Sequence, residues 1–135
     1  MKLTLKEVKN KVEFRNLDKG IKDLVIGLNY HGVRTTNSCE GHKKEGLNHP
    51  YIDVLAKDSL KLLKLVRWFN IQVYRGKTKN GVVWTILPRG EIRLMPELSG
   101  RDLGSKRKKI TLGKMKISVL DFGRKIQKFK KIPEI

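Results

Sequence analysis

The chain has 135 residues, and its 31 lysines and arginines against 13 aspartates and glutamates give a formal net charge of +18. A hydrophobic content of 39% excludes wholesale disorder, and no apolar run approaches the ~20 residues that a membrane span needs. The charge favours a polyanionic partner, and we expect nucleic acid rather than a membrane. The single cysteine excludes an intramolecular disulfide, and the first residues lack the apolar core of a signal peptide, so we expect a cytoplasmic protein.

The first third of the chain predicts an extended segment, a helix and a strand. Residues 3–14 alternate apolar and polar side chains, which is typical of extended structure. After Asp18, apolar residues three and four positions apart between residues 21 and 28 predict an amphipathic helix. Gly32 stands where a left-handed helix cap belongs. Residues 33–36 favour a strand that leads into a loop.

The middle of the chain predicts a second helix and a β-meander. Residues 51–55 predict a strand, and Asp58 or Ser59 is predicted to cap the helix that follows. A strand is predicted at 71–75, and Asn80-Gly81 predicts a hairpin that pairs this strand with residues 82–87. A turn at Pro88-Arg89-Gly90 then leads to a last strand at 92–95. These elements predict an α+β two-layer sandwich, in which two or three helices cover one face of a mostly antiparallel sheet.

The last third of the chain is strongly basic. Residues 101–131 contain twelve lysines and arginines but only two aspartates. A short strand at 115–119 is predicted to run into a basic helix. The run Lys106-Arg107-Lys108-Lys109 is predicted to contact phosphates from a loop, and its alternative is a solvated charge run. We expect one domain over residues 1–135, with a basic segment at about 100–135.

Aromatic side chains beside arginine offer a second nucleic-acid feature. The predicted hairpin places Trp84 across from Tyr74, next to Arg75. An exposed pair would stack unpaired bases, which favours RNA over duplex DNA. A buried pair would belong to the core under the helices.

The segment around the single cysteine concentrates the reactive residue types. Cys39 and His42 are three residues apart, so an imidazole within reach could activate the thiol, and both are candidate catalytic residues. Backbone amides at Gly41 and the polar groups of its neighbours suit a phosphate. The candidate binding residues of this loop are Thr35, Thr36, Ser38, Glu40 and Gly41.

Two other interpretations of the same loop stay open. Cys39, His42 and His49 have side chains that bind Zn²⁺, although structural zinc sites usually contain two or more cysteines. Alternatively, Cys39 is a small buried side chain without a chemical role. The zinc interpretation predicts a metal-stabilised protein that acts by binding.

The loop and the helix before it resemble a known enzyme family. The shared positions are Asn29, Gly32, Thr35, Thr36, Ser38, Cys39 and Gly41. This pattern resembles the Ser-Cys-x-Gly motif of the third wybutosine-synthesis enzyme family, which are tRNA methyltransferases. Glu40 and His42 stand where that family has serine and arginine. His42 matches small phage and archaeal proteins with Ser-Cys-x-Gly-His.

The resemblance implies a tRNA-like partner and, for the methyltransferases, S-adenosylmethionine as the methyl donor. It covers residues 21–55, about a quarter of the chain. The leading hypothesis is therefore an RNA-associated protein that binds or modifies tRNA through the Cys39–His42 loop. The alternatives are a metal-stabilised phage or archaeal accessory protein and a basic module that binds an acidic protein.

Overall fold

The computed structural model describes residues 2–42, 49–89, 91–97, 99–101 and 107–134. The main sheet contains four strands: β1 (Thr35–Cys39), β2 (Tyr51–Val54), β3 (Trp84–Arg89) and β4 (Glu91–Pro96). Their order is β1-β2-β4-β3, and every neighbouring pair is antiparallel. Two further strands, β5 (Ser99–Arg101) and β6 (Arg107–Lys109), form a separate antiparallel pair.

The described part of the chain contains four α-helices: α1 (Leu5–Lys9), α2 (Lys19–Tyr30), α3 (Ser59–Tyr74) and α4 (Leu112–Ile126). Short 3-10 turns at Val12–Phe14 and Ala56–Asp58 precede α2 and α3. The α+β class predicted from the sequence is confirmed. Within the described ranges, every helix is too short or too polar to cross a bilayer.

The core lies between one face of the sheet and the helices. Ile52 on β2 and Leu94 on β4 are directly paired, and both are fully buried in the cluster that holds the apolar residues of α2, α3 and α4. Phe69 of α3 stacks on Phe122 of α4 with 4.3 Å between ring centroids. Trp84 meets Phe122 edge to face, and its indole nitrogen donates a 2.9 Å hydrogen bond to the hydroxyl of Ser118.

Helices α2 and α4 approach closely because glycine stands on both at the contact. A Cβ on Gly123 would lie 2.5 Å from the backbone nitrogen of Leu24. A Cβ on Gly27 would lie 2.6 Å from a side-chain carbon of Ile126. The two glycines therefore set the distance between these helices, and they explain why Gly123 is tolerated inside a helix.

The end of α2 agrees with the prediction. Gly32 has a φ of 79°. Its amide donates to the carbonyl of Asn29, and the amide of Val33 donates to the carbonyl of Leu28 over 2.9 Å. This is a Schellman motif, which pairs the last carbonyls of the helix.

The extended structure predicted for residues 3–14 is wrong. Thr4 and Glu7 form a capping box, in which the Thr4 side chain accepts from the Glu7 amide and Glu7 accepts from the Thr4 amide. This local signal starts α1, and the apolar alternation did not reveal it.

The strand predicted at 71–75 is also wrong, because α3 continues through Tyr74. The predicted Asn80-Gly81 hairpin therefore has no first strand. Asn80 instead donates to the carbonyl of Lys114 and accepts from the amide of Val82. The side chain of Asn70 on α3 makes the backbone hydrogen bonds that a neighbouring strand would make at Trp84. Its amide nitrogen donates to the Trp84 carbonyl, and its amide oxygen accepts from the Trp84 amide, each over 2.9 Å. The predicted strand at 92–95 is confirmed as β4, which pairs with β3. Pro88 and Arg89, which were predicted to turn the chain, belong to β3, and Gly90 lies outside the described residues.

The strand predicted at 115–119 is helical and belongs to α4. Thr111 caps this helix by accepting from the amide of Lys114. Met115, Val119, Phe122 and Ile126 are all buried and lie on one helical face. Met115 and Val119 fit both a strand and a helix period, and packing against α2 selects the helix.

Candidate nucleic-acid interface

A groove of about 800 Å³ opens between the N-terminal segment, the end of α2, the start of α3 and the C-terminal segment. We call it the basic groove, because four lysines line it against one glutamate, Glu134. The four lysines are Lys2, Lys61, Lys64 and Lys131. They come from three segments that are distant in sequence, so the fold concentrates charge here.

Tyr30 forms part of the groove wall. The Lys2 ammonium lies 4.9 Å from the centre of its ring. A second depression, of about 570 Å³, shares Lys2 and Tyr30 with the groove and adds three more lysines. These are Lys6, Lys128 and Lys130. The basic surface therefore extends on both sides of Tyr30.

Glu134 is the one carboxylate among the described residues that line the basic groove. Glu134 lies 3.6 Å from the ammonium of Lys64, but its side chain is 85% exposed. An exposed pair of this kind contributes little and exchanges readily for another anion. The described lining of the groove therefore carries four lysines against one weakly held carboxylate.

His31 lies under the groove and fixes the end of α2 to α4. It is buried between Tyr30 and Phe129, with 5.0 Å between its ring centroid and each of theirs. Its Nε2 is 2.6 Å from the carbonyl of Ile126, and its Nδ1 has no hydrogen-bond partner among the described residues. Burial lowers the pKa of His31, and the hydrogen bond to Ile126 offsets part of this effect.

We expect the protein to lose stability as the pH falls below about 6.5, the usual histidine pKa. The folded state binds a proton at His31 more weakly than the unfolded state does, so acid favours unfolding. His31→Gln should narrow the difference between the melting temperatures at about pH 7.5 and about pH 5.5. His42→Gln, at an exposed position, is the control. An unchanged difference in the His31 variant would contradict this assignment.

A separate cleft, of about 620 Å³, lies beside β1. We call it the β1 cleft. It contains the predicted binding residues Thr35, Thr36 and Ser38. Asn29 lines both this cleft and the basic groove, so the two adjoin.

Arg34 stands at the β1 cleft in a fixed orientation. Its Nε and Nη2 donate to the carboxylate of Asp58 over 3.1 and 3.3 Å, and its backbone amide donates to the same group over 3.0 Å. The Asp58 side chain is 6% exposed, whereas that of Arg34 is 54% exposed. Hydrogen bonding to Arg34 lowers the pKa of Asp58, so the carboxylate stays ionised and holds the arginine.

Glu40 and Gly41, both predicted to bind a ligand, have structural contacts. The Glu40 carboxylate accepts a 3.1 Å hydrogen bond from the Gly20 amide in the first turn of α2, where a negative charge is favourable. Gly41 has a φ of 88°, and a Cβ there would lie 2.8 Å from the backbone of His49. These contacts account for a glutamate at position 40 and a glycine at position 41 without a bound ligand.

The candidate catalytic residues lie at the end of β1. Cys39 is half-buried opposite Tyr51, so it belongs to a strand that extends further than predicted, and not to a loop. Its Sγ accepts a 3.4 Å hydrogen bond from the amide of Gly41, and His42 is exposed. These placements assign no reaction, so the catalytic role stays a prediction.

The zinc interpretation depends on Cys39, His42 and His49, all of which the structure describes. Across the described ranges, no three histidine, cysteine, aspartate or glutamate side chains are grouped so that they could hold a metal ion. His49 is buried, and burial, followed by the charge of Arg93, lowers its pKa.

The predicted placement of Tyr74 across a hairpin from Trp84 is wrong, because Tyr74 is the last residue of α3. Trp84 is 2% exposed, so the core alternative is confirmed for it, whereas Tyr74 is 81% exposed. Arg75 follows Tyr74 as an exposed C-cap. Arg107, Lys108 and Lys109 form β6, and Lys106 lies outside the described residues.

Sequence reasoning missed most of the basic groove. Lys61 and Lys64 are three residues apart on α3, a spacing that places them on one face of the helix. This spacing was visible in the sequence. Lys2 and Lys131 approach that face only through tertiary packing, so no local sequence pattern predicts their position.

Comparisons of this chain with protein-family models, with curated proteins and with solved structures find no match. The resemblance of residues 21–55 to the wybutosine-synthesis family therefore stays a prediction.

Proposed function

We propose that this protein binds RNA in the cytoplasm by holding the phosphate backbone along the basic groove. The observation that carries the proposal is the convergence of Lys2, Lys61, Lys64 and Lys131 around one open groove. Lysines that neutralise phosphates release condensed counterions, which provides affinity without reading sequence. A +18 chain with a groove of this kind suits a long polyanion.

Two aromatic side chains favour RNA with unpaired bases. Tyr30 lines the groove among the lysines, and Tyr74 is exposed beside Arg75 at the other end of α3, outside the groove lining. Unpaired bases stack on such rings, whereas the bases of a duplex are already stacked. The resemblance to a tRNA methyltransferase motif supports the same partner. Modification of that RNA at Cys39 or His42 is a separate hypothesis.

The experiment is a comparison of three nucleic acids. Nuclease-treated protein is mixed with tRNA, with unstructured RNA and with duplex DNA, each at about 50 and about 200 mM salt. Affinity for all three should fall with salt, so the informative quantity is the ratio of dissociation constants at one salt concentration. We expect both RNAs to bind at least about tenfold more tightly than duplex DNA. Equal affinity for all three would contradict the RNA proposal.

A further inference from the structure

We propose that the β1 cleft binds a single unpaired nucleotide, with its base on the apolar floor and its phosphate at Arg34 and Lys11. This inference rests on the proposed function, since the nucleotide would belong to the RNA that the basic groove holds. Its own evidence is the chemistry of the cleft, which differs from that of the groove.

The floor of the cleft is apolar and the rim is polar. Phe14 and Val25 are buried, and Leu17 and Leu55 are half-buried beside them. Thr35–Ser38 supply the rim along β1. At about 620 Å³, the cleft falls within the range of small-molecule sites, which typically combine an apolar lining with a few placed polar groups. The flat apolar face of a base requires such a lining.

The polar groups of the cleft are held in place. Asn29 donates both amide hydrogens, one to the Val25 carbonyl over 2.8 Å and one to the Thr35 hydroxyl oxygen over 2.9 Å. Its Oδ1 is thus a fixed acceptor that makes no hydrogen bond to the described residues. The Thr35 hydroxyl, which accepts from Asn29, keeps its own hydrogen for donation. A base edge presents donors and acceptors that match such a pair.

Two cations, Arg34 and Lys11, line the cleft together with one carboxylate, Glu13. Asp58 takes two of the five guanidinium N–H donors of Arg34, so three donors remain on an oriented group. A guanidinium in fixed geometry suits the paired oxygens of a phosphate. Lys11 adds a second positive charge, and its 3.8 Å contact with Glu13 is exposed and weak.

The position of the cleft connects it to the basic groove. Asn29 lines both, so an RNA strand on the groove lysines can place its next nucleotide beside β1. Among the described residues, β1 is an edge strand of the main sheet.

The test uses mononucleotides in place of RNA. AMP, CMP, GMP and UMP are each titrated into ¹⁵N-labelled protein, with adenosine and inorganic phosphate as separate probes. We expect saturable shifts at Asn29 and Arg34–Ser38 with at least one mononucleotide, and weaker binding of adenosine and phosphate. Lys11→Gln should weaken mononucleotide binding about fivefold, and Lys77→Gln, at an exposed position outside both clefts, should not change it.

Thr35→Val tests the base edge without changing charge. It removes the hydroxyl that orients Asn29, so mononucleotide affinity should fall while phosphate affinity stays the same. A melting curve of each variant shows whether the fold is intact. Phosphate shifts equal to those of every mononucleotide would overturn the proposal, because the cleft would then be only an anion site.

The outcomes separate this inference from the proposed function. RNA binding at the groove without mononucleotide shifts in the cleft overturns the inference and leaves the function in place. Mononucleotide shifts in the cleft of a protein that does not bind RNA overturn the function and leave the nucleotide site in place. K61Q/K64Q/K131Q should weaken RNA binding and leave mononucleotide binding unchanged.

Discussion

Gly123→Ala should destabilise the protein by about 2–3 kcal/mol, the largest stability loss that we expect from adding one methyl group. The new Cβ would lie 2.5 Å from the nitrogen and 2.9 Å from the Cα of Leu24. These are backbone atoms, so they cannot move aside as a flexible side chain would. Helices α2 and α4 must separate, and the packing of Phe122 and Ile126 around the contact is lost.

The measurement is urea or thermal unfolding beside a matched variant on the same helix. A Cβ on Gly113 would meet no atom within 4 Å, so Gly113→Ala should be neutral or slightly stabilising through helix propensity. For Gly123→Ala we expect the melting temperature to fall by about 10 °C. Equal melting temperatures for the two variants would contradict the close approach of α2 and α4.

K61Q/K64Q/K131Q should weaken RNA binding about 30-fold at about 50 mM salt. The variant removes three of the four groove lysines and keeps the long polar side chains. Lys61 and Lys131 are exposed and Lys64 is half-buried beside exposed Glu134, so the fold should remain stable. The affinity loss should come from lost phosphate contacts rather than from unfolding.

The matched control is K19Q/K77Q/K79Q. These three lysines are exposed and line neither the basic groove nor the β1 cleft. Replacing them by glutamine lowers the net charge by as much as K61Q/K64Q/K131Q does. We expect a loss of about threefold or less, because distant charges are screened beyond about 10 Å. Similar losses for both variants would show that RNA responds to total charge and not to the groove.

The parts of the fold that the sequence predicted correctly carry strong local signals. Helix α2 has apolar residues at helical spacing and a glycine, Gly32, just after its C-cap. Strands β2 and β4 lie where runs of strand-favouring residues were predicted. The errors arose where two patterns compete. The 71–75 segment has strand-favouring residues, but it continues a helix that packs on the core, and tertiary contact outweighs propensity there.

The sequence predicted only some of the residues of the candidate site. Thr35, Thr36 and Ser38 do line a cleft, but the neighbouring Glu40 caps α2. Sequence shows which residue types are present, but it does not show which polar groups are already paired within the fold. The groove lysines illustrate the same limit, since a composition of 31 cations does not indicate which four converge.

The most direct test of the central claim is the salt dependence of single-stranded RNA binding for the wild type and K61Q/K64Q/K131Q. Each lysine that neutralises a phosphate contributes about 0.7 to the slope of log Kobs against log salt concentration. We therefore predict that the slope of the variant is smaller by about 2, and that K19Q/K77Q/K79Q keeps the wild-type slope. An unchanged slope in K61Q/K64Q/K131Q would show that the basic groove does not hold the RNA backbone.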